Sequence, residues 1–550
     1  MNNHQELLGK IANRAFQTSY HIDDLEIKFP PRNLSEGAAV TRFAPSPTGF
    51  LHIGGMRTLL ASYMIARSTG GVFFLRIEDT DDARFVDTAL LVILQTIKSF
   101  NIDIDEGVIG VNEEKGNYGP YTQTSRKEFY HTVAKKLFVD GNAYLDFTPK
   151  KVEGDEDEKL EINEWRDKPL EDVLTHLEAG KSFIVRLRAP KNTDAKVSFY
   201  DYALRHDVEM PENDLDMVLL KSNGIPTYHL AHVCDDHFMR TTHVVRTNEW
   251  LSSTPRHIQL FNMLGFDLPK YIHPSTIDKI DPVTHTQRKL SKRKDPEATM
   301  AYFIEKGYPK EAVMAYLMNM LNSSFEDWRT EHRYDDIFSF PFSAEKLPAS
   351  PALYNPDKLD NIAKDEMSKI PATDLYGRLV EWATINGFET ELVKLINHKD
   401  YIIQILDIER DTTSQKGGRK DIAIYGEFFG DMNYFFDDEF VIHHDDSEIN
   451  SVVSYFSDED KKNVLSKYLE TYSDKNDKDT WLANMRAVCE SCGYAAKPKE
   501  FTPESVYKGS MVHVSQLLRV LITGRAKSPD LYAVSKVLGN DRIAKRLLAL

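Results

Sequence analysis

The chain has 550 residues, 41% of them hydrophobic and 11% aromatic, with a formal net charge of −17 and three cysteines. That length and apolar content can fill large cores and divide into about three or four domains. The acidic balance excludes a sequence-blind nucleic-acid coat and leaves nucleic acid only a local basic face to bind. Cys234, Cys489 and Cys492 are too few for a disulfide framework, no stretch approaches the ~18 apolar residues of a membrane span, and MNNHQELLGK lacks a basic-then-apolar leader, so a cytoplasmic protein without membrane contact is expected.

Residues 1–38 are polar, end in FPPRNLSEG, and read as an extension lying against the body, with disorder the alternative. From about 39 to 118 the pattern alternates: strand AAVTRFAP, helix HIGGMRTLLASYMIARS, a stop at Thr69-Gly70-Gly71, strand VFFLRIED, and a helix through TALLVILQTIKSF. This is a parallel α/β unit. The acidic run EGDEDEKLE at 153–161 reads as a solvated stretch of an inserted region. Strand and helix signals return in PTYHLAHVCDDHFMRTTHVVRTNEW, and beyond about 300 the apolar spacing is helical nearly throughout. The last helices are punctuated by Gly524, Ser528-Pro529 and Gly539.

In an open parallel sheet, ligands bind beyond the carboxyl ends of the strands, where loops lead into helix amino termini with unpaired N–H groups. PSPTGFLHIGG is such a loop. Pro45 and Pro47 fix its turn, Gly49, Gly54 and Gly55 let a bulky ligand approach the backbone, and His52 adds a donor at the helix mouth. By the same rule RIEDTD and VVRTN end later strands, so Arg42, Glu78 and Arg246 are expected to converge on one crevice. A second anion site is QRKLSKRKD, where five of the seven positions from Arg288 to Lys294 are basic in an otherwise acidic protein.

RFAPSPTGFLHIGG resembles the first signature of class I aminoacyl-tRNA synthetases, and KLSKR resembles their second, mobile-loop signature. FLRIEDTD, GPYTQTSR, PTYHLAHVCDDH and LLRVLITGRAKSPDLYAVSKVLG narrow the resemblance to the glutamyl-tRNA synthetases of bacterial type, from about residue 39 to the end. The resemblance implies an α/β fold: a Rossmann catalytic domain (39–118 and 224–280), an acceptor-stem-binding insertion (119–223), a stem-contact domain carrying the mobile loop (281–355) and a helical anticodon-binding domain (356–550). It implies ATP with Mg²⁺, L-glutamate and the glutamate tRNA as partners, a monomer, and two steps through a glutamyl-adenylate; whether glutamine tRNA is also charged stays open.

By matching position, the resemblance gives His52 and Lys292 to catalysis with Lys289 in support. Pro45, Gly49, His52, Gly54, Gly55, Ser291 and Lys292 go to ATP, and Arg42, Ser46, Glu78, Tyr228 and Arg246 to glutamate. Glu78 would hold the ammonium and Arg246 or Arg42 the side-chain carboxylate, while Arg525 and Lys527 are candidate tRNA contacts. Three departures stand out: His232 replaces the asparagine of many relatives, RTN at 246–248 replaces the usual Arg-Gly-Glu, and the insertion has no cysteine for the zinc site of some relatives. The remaining C-x-x-C, Cys489 and Cys492, reads as a structural pair.

Overall fold

Ile11, Ala12, Ala15 and Phe16 recur at helical spacing and are all buried, so the amino-terminal extension forms helices: α1 (Asn2–Ala15) and α2 (Ile22–Lys28). It is fastened to the body. Gln17 N–H donates to His131 Nδ1 at 3.1 Å, and Arg32 forks onto Glu106 at 2.7 and 2.9 Å while lying over the Tyr118 ring. The computed structural model describes residues 2–47, 49–80, 88–148, 163–191, 194–412 and 418–548, so the acidic run 153–161 lies outside the described residues.

Next come β1 (Val40–Phe43), α3 (Ile53–Ser68), β2 (Val72–Leu75), α4 (Ala89–Ser99), β3 (Glu106–Gly110) and β4 (Glu113–Lys115). β1 is buried along its whole length, as a strand covered on both faces must be. β1, β2 and β3 run parallel and β4 closes the edge antiparallel. After α5 (Lys127–Val139), β5 (Ala143–Asp146), α6 (Leu170–Glu178) and β6 (Ile184–Leu187), a hairpin of β7 (Lys196–Asp201) and β8 (His206–Pro211) leads to β9 (Val218–Leu220). β5, β6 and β9 make a small sheet of their own.

The chain then returns through α7 (Tyr228–Phe238), β10 (His243–Val245), α8 (Thr254–Leu264) and β11 (Lys270–Ile272). β10 meets β1 where Thr242 N–H donates to Val40 O at 3.0 Å, and β11 runs parallel to both β10 and β7. The strand order β3-β2-β1-β10-β11 reverses direction of growth at β1/β10, the switch point of a doubly wound sheet. The hairpin β7–β8 extends that same sheet, so the segment 119–223 is interleaved with the sheet it interrupts rather than standing wholly apart. β12 (Ile277–Ile280), β13 (Gln287–Lys289) and β14 (Ala352–Leu353) form a further small sheet.

Two compact units result, residues 1–302 with 314–355, and residues 303–313 with 356–550. Most of 281–355 thus packs with the first unit. The second unit is built from helices around a core that includes Leu375, Trp382, Leu406, Phe428, Tyr468 and Leu517, with Cys489 and Cys492 buried in it. Its helix Met511–Thr523 stops at Gly524, where φ is +68° and a Cβ would lie 2.2 Å from Val441 O, a position only glycine fits. Among the described residues no helix is long and apolar enough to cross a membrane.

Candidate active site

The helix mouth is built as the strand-end rule requires. His52 is the N-cap of α3, and its Nδ1 accepts the Gly54 N–H at 2.9 Å. With Nδ1 an acceptor, a neutral ring carries its proton on Nε2. Burial, and then the Lys292 and Lys289 ammoniums, hold the imidazole down to about 4, so it is a neutral donor at physiological pH. Gly49 bends the loop at φ +129°, and Pro45 O receives the Glu78 N–H at 3.1 Å, which ties the ends of β1 and β2 together. Ser46 is exposed beside them.

The lysine loop comes to that mouth. Lys292 Nζ donates to Phe50 O at 2.7 Å, bringing the two signatures together, and Met300 N–H donates to Leu51 O at 2.9 Å. Asp295 organises the loop by accepting from Ser291 N–H at 2.9 Å and from the Arg288 fork at 2.7 and 2.8 Å. Lys289 is ion-paired with Glu249. The basic run is therefore partly neutralised from within, with Lys292 the member laid against the His52 loop.

Beneath the mouth lies a buried charge lattice that sequence reasoning missed. Asp236 of α7 accepts from Arg42 Nε at 3.1 Å and from Arg76 Nη1 at 2.8 Å; burial opposes its charge, yet these two guanidiniums bring the carboxylate down to about 2. Asp235 accepts from Arg126 Nε at 2.6 Å, Gln123 at 2.9 Å and Tyr130 at 2.9 Å, which explains what GPYTQTSR contributes. Arg76 Nη2 reaches Glu78 at 3.2 Å, and burial pushes the Glu78 carboxyl up against the pull of Arg76 and Arg42. The signal was in the sequence: two adjacent acids in the apolar helix YHLAHVCDDHF need buried cations. Arg42, expected as an alternative partner for a substrate carboxylate, pairs in this structure with Asp236 and donates to Val245 O.

Arg246 is held differently. It is 6% exposed and donates to His273 Nε2 at 3.0 Å, His257 Nδ1 at 3.0 Å, Thr254 Oγ1 at 2.8 Å and the Tyr228 hydroxyl at 3.4 Å. Among the described residues it pairs with no carboxylate. His232 is fully buried, with Nδ1 3.0 Å from Asp236 and its ring 4.3 Å from that of His257, so it packs inside the lattice. Arg246, Glu78 and Arg42 each contribute to the electrostatics of the Tyr228 hydroxyl, whose ionisation burial opposes most.

In the second unit, Arg525 and Lys527 border an open cavity of about 460 Å³ shared with His443, Asp446 and Glu448. Arg525 is engaged there, donating to Gly430 O at 2.6 Å and Asn433 Oδ1 at 3.0 Å, while Lys527 is exposed with Glu448 3.6 Å away. Among the described residues no three His, Cys, Asp or Glu stand together as a metal cage.

The profile of "tRNA synthetases class I (E and Q), catalytic domain" matches residues 38–338, and "Anticodon binding domain" matches 417–550. With the doubly wound sheet, the histidine mouth and the lysine loop, this makes the chain a class I aminoacyl-tRNA synthetase. It is 42% identical over 543 residues to the glutamate–tRNA ligase of Acetivibrio thermocellus, covering 96% of each chain. It is 38% identical over 536 residues to that of Clostridium perfringens strain 13, covering 94% of this chain and 96% of the relative. The chain belongs to the glutamate–tRNA ligase family. A crystal structure of a glutamate tRNA ligase from Elizabethkingia meningosepticum in complex with its amino acid shares the fold, with a TM-score of 0.71 at 22% identity over 93% of this chain and 99% of that one.

Proposed function

We propose that this chain ligates L-glutamate to tRNA at the expense of ATP, in two steps. Glutamate carboxylate attacks the α-phosphate of ATP to give glutamyl-adenylate and pyrophosphate. The terminal ribose hydroxyl of the tRNA then takes the glutamyl group and releases AMP. Neither step needs a nucleophilic side chain; both develop charge on oxygen, and positioned donors lower such barriers. The neutral His52 supplies a donor without the cost of a buried imidazolium, and Lys292 supplies a mobile positive charge.

Pro45, Gly49, Gly54, Gly55 and Ser291 complete the nucleotide cradle in this reading. Mg²⁺ would come with the nucleotide, shielding its phosphate charge; the chain's own part is the lysine loop and helix mouth. Glu78, drawn toward its neutral form by burial, recovers charge by pairing with the substrate ammonium, with Ser46 and Tyr228 lining that side. The segment 119–223 and the residues 281–355 would meet the acceptor arm, and 356–550 the anticodon arm, with Arg525 and Lys527 among its contacts.

The observation that carries the reading is the seating of Lys292 on the His52 loop at 2.7 Å, because a helix mouth and a lysine loop serve one polyphosphate only when adjacent. ATP–pyrophosphate exchange in the presence of tRNA tests it. Exchange that requires glutamate supports an adenylate; charging without any exchange refutes it. Charging purified glutamate and glutamine tRNAs in parallel defines the tRNA scope.

A further inference from the structure

We propose that Asp201 and His273, with His257, are positioning residues that aim the Arg246 guanidinium at the side-chain carboxylate of the amino acid. This rests on the reading that Arg246 meets that carboxylate. The register of the sheet puts the three groups in one layer. Tyr271 of β11 lies opposite Asp201, and Ile272 lies opposite Val245 of β10, so Asp201 ends β7, His273 follows β11 and Arg246 follows β10.

Asp201 is fully buried and divides its work. Oδ1 accepts the Ala203 and Leu204 N–H groups, each at 2.9 Å, and Oδ2 meets His273 Nδ1 at 2.5 Å. A carboxylate oxygen only accepts, so His273 carries its proton on Nδ1 and leaves Nε2 as the acceptor that receives Arg246 Nε–H at 3.0 Å. On the other side His257 Nδ1 faces Arg246 Nη1, so its proton sits on Nε2 and points to His229 Nδ1, 3.0 Å away. Burial, together with the Arg246 charge, lowers both His257 and His273 and keeps these rings neutral.

A guanidinium has five N–H donors. Nε–H goes to His273, the Nη1 pair to His257 and Tyr228, and one Nη2 hydrogen to Thr254. The second Nη2 hydrogen has no protein acceptor among the described residues. The Tyr271 ring, 5.0 Å from the guanidinium carbon, supports it from one side.

The choice of neutral partners has a specificity consequence. A carboxylate directly on Arg246 would cancel its charge and repel an anionic substrate. An imidazole accepts the N–H without adding charge, and the Asp201 charge stays one ring away. The arginine is oriented yet still needs an anion, which favours a carboxylate over its amide.

Asp201→Asn keeps the Oδ1 acceptor for the turn but offers N–H to His273, forcing its proton to Nε2 against Arg246 Nε–H. The expected result, read by pyrophosphate exchange with tRNA present, is a rise of about 10- to 100-fold in KM for glutamate. Both kcat and KM for ATP should move little, and preference over glutamine should fall. His273→Gln, which can place an acceptor near the Nε2 position, should keep glutamate affinity better than the shorter His273→Asn, and this pair decides if Asp201→Asn does not fold. An unchanged glutamate KM in Asp201→Asn, a loss shared equally by kcat and ATP binding, or equal behaviour of the Gln and Asn variants overturns the proposal. Arg246→Ala separates the two claims: if it leaves glutamate KM unmoved, the reading of Arg246 itself fails; if it raises that KM while Asp201→Asn does not, only the positioning role fails.

Discussion

Replacing His52 with alanine removes two things at once, a helix cap and a donor, and their magnitudes differ enough to be told apart. The cap is the 2.9 Å bond from Gly54 N–H to Nδ1, and losing such a cap costs about 1 kcal/mol of stability. α3 survives the loss because its stability comes from packing: eleven of its sixteen residues are buried, Ile53, Met56 and Leu59 through Ala66 among them. In a domain of this size about 1 kcal/mol lowers Tm by roughly 2–4 °C. Removing a donor to developing phosphate charge costs about 10²–10³ in rate. His52→Ala should therefore melt a few degrees early and lose most glutamate-dependent pyrophosphate exchange. His52→Asn, which can still cap the helix, should melt like the parent and stay slow. Because the imidazole is held to about 4, the parent's exchange rate should show no loss of a His52 donor near pH 6.5. Exchange by His52→Ala within threefold of the parent would refute the catalytic role, and so would a slow rate fully explained by unfolding at the assay temperature.

Lys292→Ala should lower the exchange rate more than ATP affinity, because a loop proposed to close over the nucleotide would act mainly in the transition state; lost affinity at unchanged turnover in a substrate titration would contradict this. Arg246→Ala should collapse glutamate use, as breaking a buried ionic pairing costs about 3–5 kcal/mol, while uncharged glutamine loses far less, so the ratio of the two kcat/KM values should shift toward glutamine; a constant ratio removes Arg246 from the specificity site. Acid should weaken the amino-terminal unit. Its His52, His229 and His243 are held to about 4 chiefly by burial, so between about pH 6.5 and 4 the unfolded chain takes up protons the folded one refuses. Stability then falls with pH by at most about 1.4 kcal/mol per unit for each such proton. Urea midpoints for that unit that do not fall between pH 7 and pH 5 would contradict the assignment.

What the sequence made legible follows strand ends and helix mouths, because these are local. The break at Pro45–His52 reads correctly as a loop into a helix, since prolines, glycines and an N-cap all act within a few residues. Arg246 is visible as a basic residue at the end of an apolar strand. The same rule applied to KYIHP and SFYD would have reached His273 and Asp201, but KYI and SFYD are short, and β7 sits inside a segment that looks like a separate insertion, so its return to the edge of β11 is a tertiary fact. Arg42 shows the other limit. Its position at a strand end is readable, but its commitment to Asp236 depends on a partner 194 residues away. The amino-terminal extension reads as polar because its buried apolar residues, among them Ile11, Ala12, Ala15, Phe16, Leu25 and Phe29, are scattered among polar ones.

In the proposed function one crevice, formed by the His52 mouth, the Lys292 loop and Arg246, joins glutamate to tRNA. The most direct measurement incubates the full chain with tRNA, ATP, Mg²⁺ and radiolabelled glutamate and counts acid-precipitable, base-labile label. The label should require ATP, should not be matched by radiolabelled glutamine, and should fall at least tenfold in both His52→Ala and Arg246→Ala while these variants remain folded. Folded chain that transfers no glutamate, or that transfers glutamine as readily, would contradict it.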